Sequence, residues 1–252
     1  MIIEYLRPKT IKEAVDLISR SSPSTKPMGG GTSLKSRSAD NDFSVVDLQD
    51  LGLDEITGDS DWIEIGAMAT LSSIENHPEI PEVIKKSIQL EGTVNTRNRA
   101  TLGGRLAAFS GRSALITTLL AADVVSIWDE DRKERSLGEW LALPDERPGR
   151  LLVAVKINRK VKLAMEVVNR TRLDLPILCV AAAKWPSDRT RLAVGGFGKC
   201  PQMAFDGSGV DGAELAVENA CRNSGDFHAS EEYRRAMSIV LTRRCLENIQ
   251  DS

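Results

Sequence analysis

The chain has 252 residues, 41% hydrophobic and 27% charged, with a formal net charge of −3 and aromatics at only 4%. That composition describes a globular chain long enough for more than one compact unit. It argues against a general nucleic-acid binder or a base-stacking platform, and no apolar run is long enough to span a bilayer. The start, MIIEYLRPKT, lacks the pattern of a secretory signal, so no membrane, no nucleic acid and a cytoplasmic address are the expectations.

In chain order, Ile2 to Leu6 reads as a short strand closed by Pro8. Thr10 and Glu13 form a capping box for a helix with Ile11, Ala14, Val15 and Ile18 on its apolar face. Pro23 and Pro27 bracket a loop, the glycine cluster PMGGGTSLK follows, and FSVVDL reads as the next strand. WIEIGAM alternates as a strand. Thr70 precedes a helical LSSIEN, and Pro81 heads a second helix, PEVIKKSIQL. The run TRNRATLGGRLAAFSGRSA then places Arg97, Arg99, Arg105 and Arg112 around Gly103 and Gly104 with no acidic residue among them.

Ser113 is positioned to cap ALITTLLAA, after which VVSIW reads as a strand. Ser136 and Glu139 make another capping box, LPDERPGR reads as a surface loop, and LLVAVKI is a clear strand. From about Asn158 the pattern becomes antiparallel β followed by helices. LAMEVVNR and RLAVGGF read as strands, and Asp211 with Glu214 starts a helix. Ser230 caps a last helix whose buried stripe is expected at Tyr233, Ala236, Met237, Val240 and Leu241.

Neither GxGxxG after the first strand nor GxxxxGK[ST] is present, which disfavours a Rossmann dinucleotide unit and a P-loop NTPase. The segments GGGTS and TLGG each set a hydroxyl beside glycines. Backbone amides freed of side chains can converge on a phosphate oxygen, with Thr32, Ser33 or Thr101 adding a donor. Each pair taken alone is equally the geometry of a turn or bulge. The cysteines at 179, 200, 221 and 245 are too widely spaced for a short-loop metal site and read as reduced thiols. His77 and His228 stand apart from any nucleophile pattern.

Taken as an ordered set, these motifs resemble the FAD-binding subunits of molybdenum hydroxylases, the xanthine dehydrogenase and carbon monoxide dehydrogenase medium-subunit family. The set comprises YLRPKTIKEAVDLI, GGGTSLK, TVNTRNRATLGG, LLVAVKI, LAVGGFGKCPQ and SEEYRRAMSIVLTRRCLENI. The resemblance implies an α+β fold: a two-subdomain FAD-binding fold of the PCMH/VAO type (1–56 and 57–158), then a small α+β C-terminal domain of antiparallel sheet plus helices (159–252). It implies FAD as the cofactor, with Met28, Gly29, Gly30, Gly31, Thr32, Ser33 and Leu34 as one contact segment. Ala100, Thr101, Gly103 and Gly104 would form a second, and Ser110 and Leu152 would be further contacts. No catalytic side chain and no metal ligand are expected on this chain.

The resemblance also implies partners: a small 2Fe–2S ferredoxin-like subunit and a large molybdopterin subunit, with NAD or another molecule as electron acceptor. The chain departs from the family pattern at Arg105, where relatives carry Asn or a small residue, and at Ala114, where they carry an acid. It departs again at Val167, near a family lysine, and at Met203, in place of an arginine. These changes leave open a flavin-poor assembly subunit, or a stand-alone FAD oxidoreductase, as alternative roles.

Overall fold

The computed structural model describes residues 1–34, 42–129, 131–142, 149–171 and 174–250. Two compact units are formed by interleaved segments. The first comprises Met1–Ile74, Val94–Ala108 and Val125–Lys156; the second comprises Glu75–Thr93, Phe109–Val124 and Ile157–Ser252.

In the first unit, strands β1 (Ile2–Leu6), β2 (Thr25–Met28) and β3 (Phe43–Asp47) make a parallel sheet in the order β1-β3-β2. β2 was expected to be loop because of Pro27. It is a strand nonetheless, since proline is tolerated on a sheet edge where its missing N–H breaks no ladder. Helix α1 (Ile11–Ser19) is capped by Thr10, whose side chain accepts the Glu13 N–H at 3.1 Å. Asp47, buried at the end of β3, is satisfied by the Tyr5 hydroxyl and by the Gln49 N–H at 3.1 Å.

A second sheet runs β4-β5-β8-β6-β7, built from β4 (Ile56–Gly58), β5 (Trp62–Gly66), β6 (Val125–Trp128), β7 (Lys133–Ser136) and β8 (Leu152–Asn158). Ser136 and Glu139 cap α7 (Leu137–Ala142) reciprocally, at 3.1 and 3.3 Å. Ala14, Ile18, Val46, Leu48, Leu151 and Val153 share one core between the sheets of this unit. Of the expected LPDERPGR loop, residues 143–148 lie outside the described residues.

The second unit contains an antiparallel sheet in the order β12-β11-β10-β9: β9 (Lys162–Val168), β10 (Leu178–Lys184), β11 (Arg189–Gly195) and β12 (Gln202–Ser208). Its helices include α3 (Glu82–Gln89), α6 (Ala114–Ala121), α8 (Ala213–Ala220) and α9 (Glu231–Gln250). Ser113 caps α6 by accepting the Ile116 N–H at 3.1 Å. Two expectations fail here. α8 starts from Gly212 in the left-handed region (φ 78), with no side-chain cap from Asp211. α9 buries Arg234, Ser238, Leu241, Thr242, Cys245 and Ile249, so Tyr233, Ala236 and Val240 face outward.

Arg234 explains that rotation. It is fully buried, donates to the Ile177 and Ser224 carbonyls, and forms a two-pronged pair with Asp226 at 2.9 and 3.0 Å. A fully bonded guanidinium is therefore the residue the helix turns inward. Among the described residues no helix is long and apolar enough to cross a membrane.

Candidate functional site

The glycine segment Gly29–Leu34 emerges from the C-terminal end of β2, where open parallel sheets place ligands. It is tied down by the Leu48 N–H, which donates to the Met28 carbonyl at 3.1 Å. The second segment is stitched to the chain that leaves β5. Leu71 N–H donates to the Ala100 carbonyl (2.8 Å), Leu102 N–H to Ala69 (3.0 Å) and Gly103 N–H to Ala67 (2.8 Å). Gly103 and Gly104 are not in a loop, as the sequence suggested, but in the first turn of α5 (Leu102–Ala107). Thr101 caps it, its hydroxyl accepting the Gly104 N–H at 3.2 Å.

Each glycine has its own reason. A methyl group on Gly30 would come 1.5 Å from the Arg99 carbonyl oxygen, and one on Gly29 would come 2.5 Å from the Thr101 hydroxyl. The two segments therefore pack directly against one another at this point. Gly103 is likewise required by the protein itself, since a methyl there would lie 3.0 Å from the Ala67 carbonyl oxygen. Gly31 and Gly104 differ. Gly31 has φ +71, a conformation other residues resist. A methyl on Gly104 would meet only the Thr101 hydroxyl, at 3.0 Å, and otherwise open space.

That open space is a pair of adjoining cavities. One, of about 260 Å³, is bounded by Lys26 to Leu34 on one side and by Thr101, Gly104, Ala107 and Ala108 on the other. The second, of about 170 Å³, also touches Gly29, Thr101 and Gly104 but is otherwise largely apolar, walled by Leu48, Met68, Trp128, Trp140, Leu151 and Leu152. The tryptophan rings stand 5.1 Å apart. Among the described residues, no hydrogen bond ties the backbone N–H groups of Gly30, Gly31, Thr32 and Ser33 to protein. Free amides beside a left-handed glycine make an anion-binding concavity, and it opens into an aromatic-walled hollow.

Of the expected contacts, the structure brings together Met28 to Leu34, Thr101, Gly103, Gly104 and Leu152 around these cavities. Ala100 is buried and its carbonyl is taken by Leu71. Ser110 belongs to the second unit, where its hydroxyl accepts the Arg112 N–H at 3.2 Å. Trp128, Trp140 and Met68 were missed as wall residues; scattered apolar side chains give no local signal that they converge.

Arg112, one of the four arginines around Gly103 and Gly104 in the sequence, is occupied within its own unit. It donates to the carbonyls of Pro176 (2.9 Å) and Leu175 (2.6 Å) and stands 2.8 Å from Nε2 of His228. Burial and the Arg112 charge hold that imidazole below its ordinary pKa. At the other departures, Met203 sulfur accepts from Arg191 at 3.7 Å, and Val167 pairs with Cys179 across the β9–β10 ladder.

A phosphate-bearing cofactor with a flat ring system fits this donor set: free amides and hydroxyls on one side, apolar and aromatic walls on the other. That defines the class as a dinucleotide-binding protein of the flavin kind. The chain belongs to the family described as the FAD binding domain in molybdopterin dehydrogenase, which matches residues 1–159.

Among curated relatives, the nicotinate dehydrogenase FAD-subunit of Eubacterium barkeri is 26% identical over 253 residues, covering 97% of this chain and 82% of that one. A protein of Escherichia coli strain K12 called Uncharacterized protein YgfM is 28% identical over 247 residues, covering 96% of this chain and 94% of that one. Among solved structures, a chain of the carbon monoxide dehydrogenase of Oligotropha carboxidovorans superposes with a TM-score of 0.84 at 22% identity, covering 98% of this chain and 97% of that one. A chain of quinoline 2-oxidoreductase from Pseudomonas putida 86 superposes with a TM-score of 0.79 at 20% identity, covering 100% and 98%. These likenesses show the shared fold.

Proposed function

We propose that this chain is the flavin-bearing electron-transfer subunit of a molybdenum hydroxylase. It receives electrons from iron–sulfur clusters on a small ferredoxin-like subunit, while a large molybdopterin subunit oxidises the substrate, and it delivers them to NAD or another acceptor. The carrying observation is the free amide run Gly30 to Ser33 facing Gly104 across an opening that no protein side chain fills. The amides and the Thr32 and Ser33 hydroxyls would hold the pyrophosphate. The hollow walled by Trp128, Trp140, Leu151 and Leu152 would exclude water from a flat ring. FAD, when bound, supplies the exchange between one-electron and two-electron carriers, and the protein's part is binding and orientation.

The chain's own thiols support the division of labour. Burial pushes Cys179 up to about 12 and Cys221 up to about 11, so neither offers a thiolate near neutral pH. In this proposal the clusters sit on the partner chain. The sequence partition at 56 and 158, a cytoplasmic location and the ligand role of Ser110 belong to the same proposal.

Anaerobic addition of substrate to the assembled complex tests the route. Bleaching of a flavin absorption band, followed by its return when acceptor is added, is expected. Substrate oxidation that reduces the iron–sulfur centres and leaves the flavin oxidised would refute it.

A further inference from the structure

Among the residues that line the hollow walled by Trp128, Trp140, Leu151 and Leu152, one is charged: Arg150. A guanidinium in an apolar wall costs free energy unless it is paired and its N–H groups find acceptors. The pairing comes from Asp129, which follows β6, while Leu151 precedes β8 on the neighbouring antiparallel strand. The Asp129 N–H donates to the Leu151 carbonyl at 2.8 Å, and the Leu151 N–H donates back to Asp129 Oδ1 at 2.7 Å. The other carboxylate oxygen, Oδ2, accepts from Nε of Arg150. Asp129 has φ 56, an uncommon conformation for a residue with a side chain, and both halves of its exchange with Leu151 hold it there.

The pair is not a surface contact free to swing in solvent, since the Arg150 side chain is 30% exposed and that of Asp129 16%. Asp129 occupies only Nε. Among the described residues, Nη1 and Nη2 of Arg150 have no hydrogen-bond partner, so an acceptor within the hollow would come from its occupant. Asp131 also feels the Arg150 charge, but it is bonded to Lys133 at 2.7 Å and lines, with Asp129 and Lys12, a separate cavity. Neither acid lines the hollow itself.

We propose that Arg150 sets the reduction potential of the flavin, its charge and its open N–H groups favouring the reduced ring over the oxidised one. This rests on the FAD reading above. Two electrons and one proton taken up by a neutral flavin ring leave it with one net negative charge, and charge placed near the ring is how a protein tunes it. A cation in the surrounding wall favours that reduced form for the same reason that it favours a carboxylate over its acid. No electron passes through Arg150. It acts through its field, and Asp129 positions it. An opposite charge beside an ionising group stabilises the anion by roughly ten- to a thousandfold. The Asp129 countercharge and the partial exposure of Arg150 place the effect at the lower end, about tenfold, which is about 30 mV for a two-electron couple.

Reductive titration of the flavin in the assembled complex, against a dye of known potential, tests this. Arg150→Met, similar in length and uncharged, should lower the midpoint by about 30 mV with FAD per chain close to wild type. Arg150→Lys should restore most of the potential. Asp129→Asn should raise the midpoint instead, because it removes the countercharge; a pair that served only to hold the chain together would not shift the potential in opposite directions. The proposal is overturned if R150M keeps the wild-type potential, if it loses its flavin altogether, or if R150M and D129N shift the potential the same way. Each of those results leaves the FAD reading intact. A wild-type complex without flavin would overturn that reading instead, and this inference with it.

Discussion

Replacing Gly104 with valine separates ligand clearance from protein packing. A first carbon there meets only the Thr101 hydroxyl, at 3.0 Å, which a shift of a few tenths of an ångström relieves. Glycine is also a poorer helix former than valine by a few tenths of a kcal/mol, so the folded chain should lose little stability. The side chain would instead project into the space shared by both cavities. Overfilling a fitted site costs about 1–3 kcal/mol, which corresponds to roughly 5- to 150-fold weaker FAD binding. Gly30→Ala is the contrast: its methyl would come 1.5 Å from the Arg99 carbonyl, so it should lower the melting temperature as well as FAD content. Fluorescence titration of FAD released from each variant, paired with thermal melts of the apo chain, reads both quantities. A Gly104→Val chain with wild-type FAD affinity would refute the assignment of that space to the cofactor.

Gly31→Ala, forced to φ +71, should cost about 1–2 kcal/mol in the bound-loop conformation and reduce FAD retention by about an order of magnitude, measured by the same titration. Arg112→Ala should lower the melting temperature by releasing Leu175, Pro176 and His228, and should leave FAD affinity unchanged at low and high salt. Burial pushes Asp226 up, but Arg234 and the N–H groups of His228 and Ala229 outweigh it and hold the carboxyl below its ordinary value. Its stabilising effect is thus complete above an unfolded-state pKa of about 3.9 and is lost as pH falls through the lower folded-state value. Asp226→Asn should accordingly flatten the acid limb of stability in melts taken between about pH 2 and 5. In native protein at about pH 8, a thiol reagent should leave the buried Cys179, Cys221 and Cys245 unlabelled, and mass spectrometry of the modified chain would show it.

Most of the elements were legible because their signals are local. The Thr10 and Ser113 caps, the Ser136–Glu139 box and the alternation of WIEIG each need only a few neighbouring residues, and each appears where expected. β10 was not read because LCVAAAK is buried along almost its whole length, and a strand covered on both faces loses its alternation. The α9 face was misread because Tyr233, Ala236 and Val240 are apolar while the inward position belongs to Arg234. Only the carbonyls and the carboxylate that receive that guanidinium reveal why. At the site, the glycine segments were visible but their division of roles was not. Whether a missing side chain makes room for Arg99, for Ala67 or for a ligand depends on residues distant in sequence.

We propose that the interlocked glycine segments hold FAD despite the altered residues around Arg105 and Ala114. The visible absorption spectrum of the chain purified with its partner subunits, together with FAD released on denaturation, is the deciding measurement. A flavin band and close to one FAD per chain are predicted. A complex that lacks both would contradict it.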